Sequence, residues 1–264
     1  MQILRREQNR EKTDEENPYW ISFSDIMAGL LVIFVLAAVA LIIELTQKSD
    51  AWDEALREIV KAEQVRRDIV REIEKELKER SIAVRVIDND TVIRIPEDVL
   101  TFESSSFDLP EDANSRQTAL QIGLVIYDSI VKDDRWQYLD TIFIEGHTDK
   151  IYYDNSSIKG NWGLSTFRAI TLWEYWGDEM PMGARLDQLL NHSGTNLFSV
   201  SGYAATRSVP CTNDDPNIED SELCPEGRLK TESDSLRKNR RIDIRFTVRR
   251  PALEEYEVIG EVLK

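Results

Sequence analysis

The residues able to do chemistry are few in this 264-residue chain, and they lie far apart in sequence. There are two histidines, His147 and His192, and neither has a carboxylate or cysteine at a metal-ligating spacing. No phosphate-binding loop and no nucleophile elbow occurs. No metal site, no cofactor and no enzymatic activity are therefore expected. Cys211 and Cys224 have twelve residues between them and complete no zinc pattern. In an exported domain such a pair reads as a disulfide closing a short acidic loop, worth on the order of 3 kcal/mol; in the cytosol it reads as two ordinary thiols. Two carboxylates remain. Asp25 is the only ionisable side chain among the 24 residues from Trp20 to Ile43. Asp149 follows an apolar run in the sequence GHTD, and Arg168 stands on the helix expected next. Asp149 and Arg168 are suited to a structural salt bridge, or to a zwitterionic ligand whose ammonium meets the carboxylate and whose carboxylate meets the guanidinium. Spacing alone favours the salt bridge.

The element that must position Asp25 is an apolar helix. About 20 apolar residues span the hydrocarbon core of a bilayer, so the segment 20–45 is expected to cross a membrane once. A carboxylate at the centre of such a helix costs roughly 2.5–3.5 kcal/mol and usually faces a partner helix or a water path. The simpler reading makes Asp25 an N-terminal cap in the headgroup zone. On helical geometry Asp25 shares a face with Ser22, Ala28, Gly29 and Val32, small enough for a second helix to approach closely. Glu44, at the far end, is read as snorkelling into the interface. The span starts too late, and runs too long, for a signal-peptide core, so it is read as an uncleaved anchor. Basic residues flank it almost equally, with a weak preference for a cytoplasmic N-terminus.

Composition allows one further domain. The net charge of −16, from 33 basic and 49 acidic residues, argues against a nucleic-acid partner. The charge is uneven: residues 211–234 hold eight acidic and two basic side chains, and residues 236–250 hold seven basic and one acidic. Residues 1–19 read as a polar tail and 251–264 as a second tail. Residues 46–80 carry nine basic and ten acidic residues with a sparse apolar stripe, Ala55, Ile59, Ala62, Ile69, Ile73 and Leu77, at helical spacing. This neck is expected to pair with a second copy as a short coiled coil, or else to lie on another surface, its own domain included. From residue 81 the period becomes two. A hairpin (82–87 and 91–95), a helix over 113–131, a strand over 139–145, a helix over 164–175, a short helix over 184–190, a strand over 197–202, a helical turn near 235–239 and a last strand over 241–248 predict an α/β sandwich in residues 81–250.

Four segments in order, IFIEGHTD (142–149), NWGLSTFRA (161–169), FSVSGYAATRSVP (198–210) and RKNRRIDIRF (237–246), resemble the OmpA/MotB peptidoglycan-binding domain. VLTFESSSFDL (99–109) is similar to that family's early segment. The resemblance implies a fold: an α/β domain, the OmpA-like β-α-β sandwich, preceded here by a single transmembrane helix and a helical neck. It also implies a ligand, the diaminopimelate side chain of the wall's stem peptide. Asp149 and Arg168 match the recognition pair. Thr148, Asn161, Leu164, Asn239, Arg240 and Arg241 match further motif positions, and the Cys211–Cys224 pair falls where some members carry a disulfide. Three features depart from the pattern: a longer spacer (KIYYDNSSIKG), Ala204 in place of a glycine, and a long insert over 177–196. The span, SFSDIMAGLLVIFVL, is similar to that of MotB-type stator subunits, whose aspartate carries the translocated proton. Within that group the chain looks most like the ZorB stators of Zorya anti-phage defence systems. Implied partners are a multi-span MotA-like (ZorA-like) subunit, a second copy of this chain, and peptidoglycan. The implied location is the bacterial inner membrane, with the C-terminal domain periplasmic. A flagellar stator subunit, and a structural membrane-to-wall tether without ion transport, stay open as alternatives.

Overall fold

The computed structural model describes residues 18–103, 105–155, 158–209 and 232–249. Cys211, Cys224, most of the acidic loop and both tails lie outside these residues. The described residues fall into two units divided between Glu54 and Ala55.

Helix α1 runs over Pro18–Glu79. Among the described residues it supplies the one segment long and apolar enough to cross a membrane. Its large apolar side chains Phe23, Ile26, Leu31, Phe34, Leu36 and Ile42 are all exposed, as a lipid-facing helix requires. Asp25 lies on this stretch, exposed, and makes no hydrogen bond or ion pair among the described residues.

The second unit is built on a five-stranded sheet, in the order β1-β2-β5-β3-β4. The strands are β1 (Arg85–Ile87), β2 (Val92–Pro96), β3 (Leu139–His147), β4 (Phe198–Gly202) and β5 (Arg241–Val248). Among the described residues, only the β3–β4 pair is parallel. Helices α2 (Ala113–Val131) and α3 (Asn161–Glu179) fall between strands, and α4 (Glu232–Asn239) leads into β5. The expected helix over 184–190 is only a 3-10 turn, Leu186–Gln188. Just beyond that turn, Leu190 bridges to Asn196, and the Asn191 side chain accepts from the backbone N–H groups of Ser193 and Thr195, an arrangement incompatible with continuing the helix.

Register sorts the sheet into two unlike faces, because side chains alternate along a strand. Pairing Ile93 and Ile144 with Ile244, and Ile95 with Ile242, gathers an aliphatic face. That face shares one core with Ile122, Ile126 and Ile130 of α2, and with Ala169, Leu172 and Trp176 of α3. Ile69, Val70, Ile73 and Leu77 of α1 are fully buried in the same core. Of the two readings of the neck, docking on its own domain holds from Ala62 onward, and the coiled-coil expectation is corrected there, because a stripe already covered by its own domain cannot also be the seam of a coiled coil. Spacing reports that a helix has an apolar face, but not whether its cover comes from the same chain. The other face of the sheet carries Arg94, Glu145, His147, Arg241, Asp243 and Arg245.

Candidate ligand site

The site lies where β3 ends and α3 begins. Gly146 lets the two elements touch: a Cβ there would lie 1.9 Å from the Ser165 carbonyl oxygen. Ser165 Oγ accepts from the Ala204 N–H (3.0 Å), and the Thr148 N–H donates to the Ala204 carbonyl (3.0 Å), so β3, α3 and the segment after β4 fix one another. Thr148 itself is buried, and its Oγ1 has no hydrogen-bond partner among the described residues. Leu164 is buried under the first turn of α3.

Asp149 is buried. Its Oδ1 accepts from the Ile151 N–H (2.9 Å), and its Oδ2 accepts from Arg240 Nη1 (2.6 Å). Arg240 also grips Glu97 in bidentate fashion, Nε to Oε1 at 2.5 Å and Nη2 to Oε2 at 2.8 Å. The hydrogen bonds to Glu97, then to Asp149, hold the Arg240 guanidinium above its ordinary pKa against the cost of burial. Asn161 plays a scaffolding part. Its Nδ2 donates to the Ile151 carbonyl (2.8 Å), and its Oδ1 accepts from the Tyr153 N–H (3.2 Å), pinning the loop after Asp149 to the start of α3.

Arg168 is 4% exposed and does not bond to Asp149. Its Nε donates to the Ser106 carbonyl (2.9 Å) and its Nη2 to the Glu103 carbonyl (3.1 Å), and the Phe102 ring centroid lies 5.3 Å from Cζ. Nη1 has no partner, and no carboxylate comes within ion-pair distance among the described residues. Burial is the largest influence on this guanidinium and pulls its pKa down; Glu97 and Asp149 oppose that pull, and Arg240 adds to it. Arg168, Arg240, Glu97, Leu100, Phe102 and His147 line a single narrow recess. Glu97 and the 102–106 segment escaped the sequence reading of the site, although the similarity of residues 99–109 to the family's early segment was a usable signal.

The remaining two motif residues serve the scaffold here. Asn239 Oδ1 accepts from the Val209 N–H (2.8 Å). Arg241 donates from Nε to Asp243 (3.0 Å) and from Nη2 to the Arg207 carbonyl (2.9 Å). Arg241 thereby joins the charged face of the sheet, where Asp243 is also held in bidentate fashion by Arg94, and where Glu145 meets Arg245 at 2.9 Å and Arg207 at 3.5 Å. His147 stacks on Tyr203 (5.4 Å), which Arg207 covers from 3.6 Å. Sequence spacing offered no metal ligands for His147, but strand pairing brings two carboxylates to it: ligand atoms of Glu145, His147 and Asp243 all lie within 4.8 Å of one another. The two carboxylates are already opposed by four guanidinium groups, however, so a cation would enter against a positive surrounding, and the cluster is a neutralised ion network.

No protein-family model matches the chain, and no curated protein gives a significant match. Solved structures do. The chain is similar to a MotB-like protein from Desulfovibrio vulgaris (17% identity, 72% of this chain and 99% of that one, TM-score 0.48). It is also similar to the cell wall anchor of the T6SS from Pseudomonas aeruginosa (19%, 67% and 95%, 0.41). A third likeness is to the periplasmic domain of Helicobacter pylori MotB (18%, 68% and 90%, 0.40). At these identities and scores the functional reading rests on this chain's own side chains.

Proposed function

We propose that this chain is a peptidoglycan-gripping stator subunit of a proton-driven motor in the bacterial inner membrane. Its α/β unit takes the diaminopimelate-bearing stem peptide, and Asp25 carries the proton. The observation that carries the wall-binding half is Arg168. A buried guanidinium whose partners are two neutral carbonyls is a costly arrangement that an incoming carboxylate would relieve. Asp149, with one oxygen shared with Arg240, stands ready for the ligand's ammonium. The polar groups of the recess suit electrostatic recognition of a zwitterion. In a motor, force develops only if the membrane helices are held still, and a wall-bound domain supplies that restraint. Two copies would place their Asp25 helices within a multi-span MotA-like (ZorA-like) subunit. Proton binding would neutralise each carboxylate and change which contacts it prefers. Zorya-type anti-phage defence is the setting we favour, on the strength of the insert over 177–196 and the acidic cysteine loop.

The tests separate the two halves. In pull-downs with isolated sacculi, wild-type protein is retained and Arg168→Ala is lost; equal retention of a folded Arg168→Ala would sink the wall site. When the chain is expressed with a MotA-like (ZorA-like) multi-span subunit, Asp25→Asn assembles normally and loses phage protection. Protection by that variant would refute the ion-carrier role.

A further inference from the structure

Arg168 is already held in the way a carboxylate would hold it. The Nε and Nη2 groups of a guanidinium form one edge of its fork and can donate two parallel bonds to a carboxylate. Among the described residues three other arginines do this: Arg94 on Asp243, Arg240 on Glu97 and Arg185 on Asp187. On Arg168 the same edge is filled by the Ser106 carbonyl at Nε and the Glu103 carbonyl at Nη2. Two main-chain oxygens thus stand where the two oxygens of a ligand carboxylate would stand. The recess is closed down to match. Its free volume is about 10 Å³, room for about one water and too little for an amino-acid head group.

The chain that supplies these carbonyls hangs between two anchors. Phe102 and Leu109 are buried in the core, while Glu103, Ser105 and Asp108 are exposed. Ser105 sits at φ +59°, a left-handed conformation uncommon for serine. The other hydrogen bonds of Ser106 and Asp108 among the described residues are local. The Ser106 N–H donates to the Glu103 carbonyl (3.0 Å), the Asp108 N–H donates to Ser106 Oγ (3.0 Å), and Ser106 Oγ donates to Asp108 Oδ2 (3.3 Å). Beyond Arg168, the printed hold of this stretch on α3 is a ring contact, Phe107 against Phe167, with centroids 5.2 Å apart. On the ligand reading of the recess given above, we propose that Glu103 and the segment 105–108 form a self-inhibitory strap. The strap fills the carboxylate edge of Arg168 in the empty protein, and the stem peptide binds by displacing it. A buried guanidinium thereby keeps hydrogen-bond partners when no peptide is present. The Phe107–Phe167 contact sets how firmly the strap is closed, and only the open fraction of the protein takes ligand at its intrinsic affinity.

The test is calorimetric titration of the full chain in nanodiscs with a soluble diaminopimelate-containing stem peptide, with denaturation midpoints to show that each variant is folded. Phe107→Ala and Phe167→Ala each loosen the strap, so each binds the peptide about two- to tenfold more tightly than wild type, the range that an aromatic pair contributes to an equilibrium. The double variant binds no more tightly than either single one, because both changes remove the same contact. If Phe107→Ala fails to fold, Phe107→Leu keeps the bulk, loses the ring contact and carries the same expectation. A residue that only supports the fold would weaken binding when truncated, so the direction of the change separates the two roles. Affinity equal to or weaker than wild type in the folded variants overturns the strap and leaves the peptide site standing. A wild type and variants that all fail to bind the peptide overturn the peptide site and the strap with it.

Discussion

Arg168 and Arg240 line the same recess but differ in what satisfies them. Arg240 has two carboxylates, and Arg168 has two carbonyls and a ring. Removing Arg168 should therefore cost binding more than fold. Arg168→Ala is expected to weaken stem-peptide binding by roughly 2–5 kcal/mol, read by calorimetric titration. Arg168→Lys should recover little of this, because an ammonium cannot reach both carbonyls and a ligand carboxylate in the planar fork that a guanidinium presents. Glu97 is a positioning residue. It holds Arg240 so that Asp149 gives up only one oxygen, and Glu97→Gln should press Arg240 more fully onto Asp149. We expect binding to fall by about tenfold, with the loss relieved when Arg240 is changed to Gln in the same chain. An unchanged affinity in Glu97→Gln would discard that role. Asp149, Asn161 and Arg168 were legible in the sequence because each sits in a short motif at an element boundary. Glu97 was not, since 143 residues separate it from Arg240 and only the β2–β5 pairing brings the two segments together. Asn161 was legible as a site residue but not in its role, which is to fasten the loop.

Elements position the site by touching closely, and two of the contacts tolerate no added atoms. At Gly202 a Cβ would lie 2.1 Å from Thr166 Oγ1, and at Gly146 it would meet backbone. Gly146→Ala must push β3 and α3 apart. It should lower stability by about 1–3 kcal/mol in denaturant titration and displace Asp149 relative to Arg168, so that wall binding falls in the folded fraction as well. The charged sheet face gives a pH signature. Burial, followed by the charge of Arg241, pushes the His147 pKa down to about 3, although Asp243 pulls the other way. In the unfolded chain the imidazole titrates near 6.5. Below that pH the unfolded state takes up a proton that the folded state refuses, so stability is intact above pH 6.5 and drains away as pH falls toward 3. The slope is about 1.4 kcal/mol per pH unit while this group dominates. Asp243 adds the same sign at lower pH. Burial would raise its pKa, but the hydrogen bonds from Arg94 and the charges of Arg241 and Arg94 outweigh burial and lower it. Denaturant midpoints at pH 7, 5.5 and 4.5 should fall in wild type and fall less in His147→Gln; a flat wild-type profile would contradict the assignment. The alternation that builds this face was visible in RRIDIR, and α2 and β5 begin and end where periodicity placed them. The two-carbonyl geometry around Arg168 and the two-carboxylate geometry around Arg240 were not visible, because they depend on which segments are neighbours.

Assembly is a property of the whole molecule, and α1 divides it into two sets of apolar residues. Ile69, Ile73 and Leu77 are already covered by the α/β unit, whereas Trp52, Leu56 and Val60, four residues apart on one face, are about half exposed. The sequence reading took Ala55 to Leu77 as one stripe and passed over Trp52, Leu56 and Val60, which lie on another face of the same helix. Their physical roles predict opposite mutant behaviour. Leu77→Ala opens a cavity in the shared core and should cost about 2–5 kcal/mol of folding stability, with oligomeric state untouched. Trp52→Glu combined with Leu56→Glu places like charges on the exposed face. If two copies of this chain come together beside the span, as the proposed motor requires, that double variant should shift the purified assembly toward monomer while leaving the denaturation midpoint of the α/β unit where it was. Light scattering of the protein in nanodiscs, set beside tryptophan-monitored unfolding, reads both quantities. A wild type that is monomeric beside its multi-span partner would remove the paired Asp25 helices from the mechanism. A dimer that survives Trp52→Glu with Leu56→Glu would place the self-contact within the apolar span alone, where Ala28 and Gly29 flank the carboxylate and leave room for a second helix.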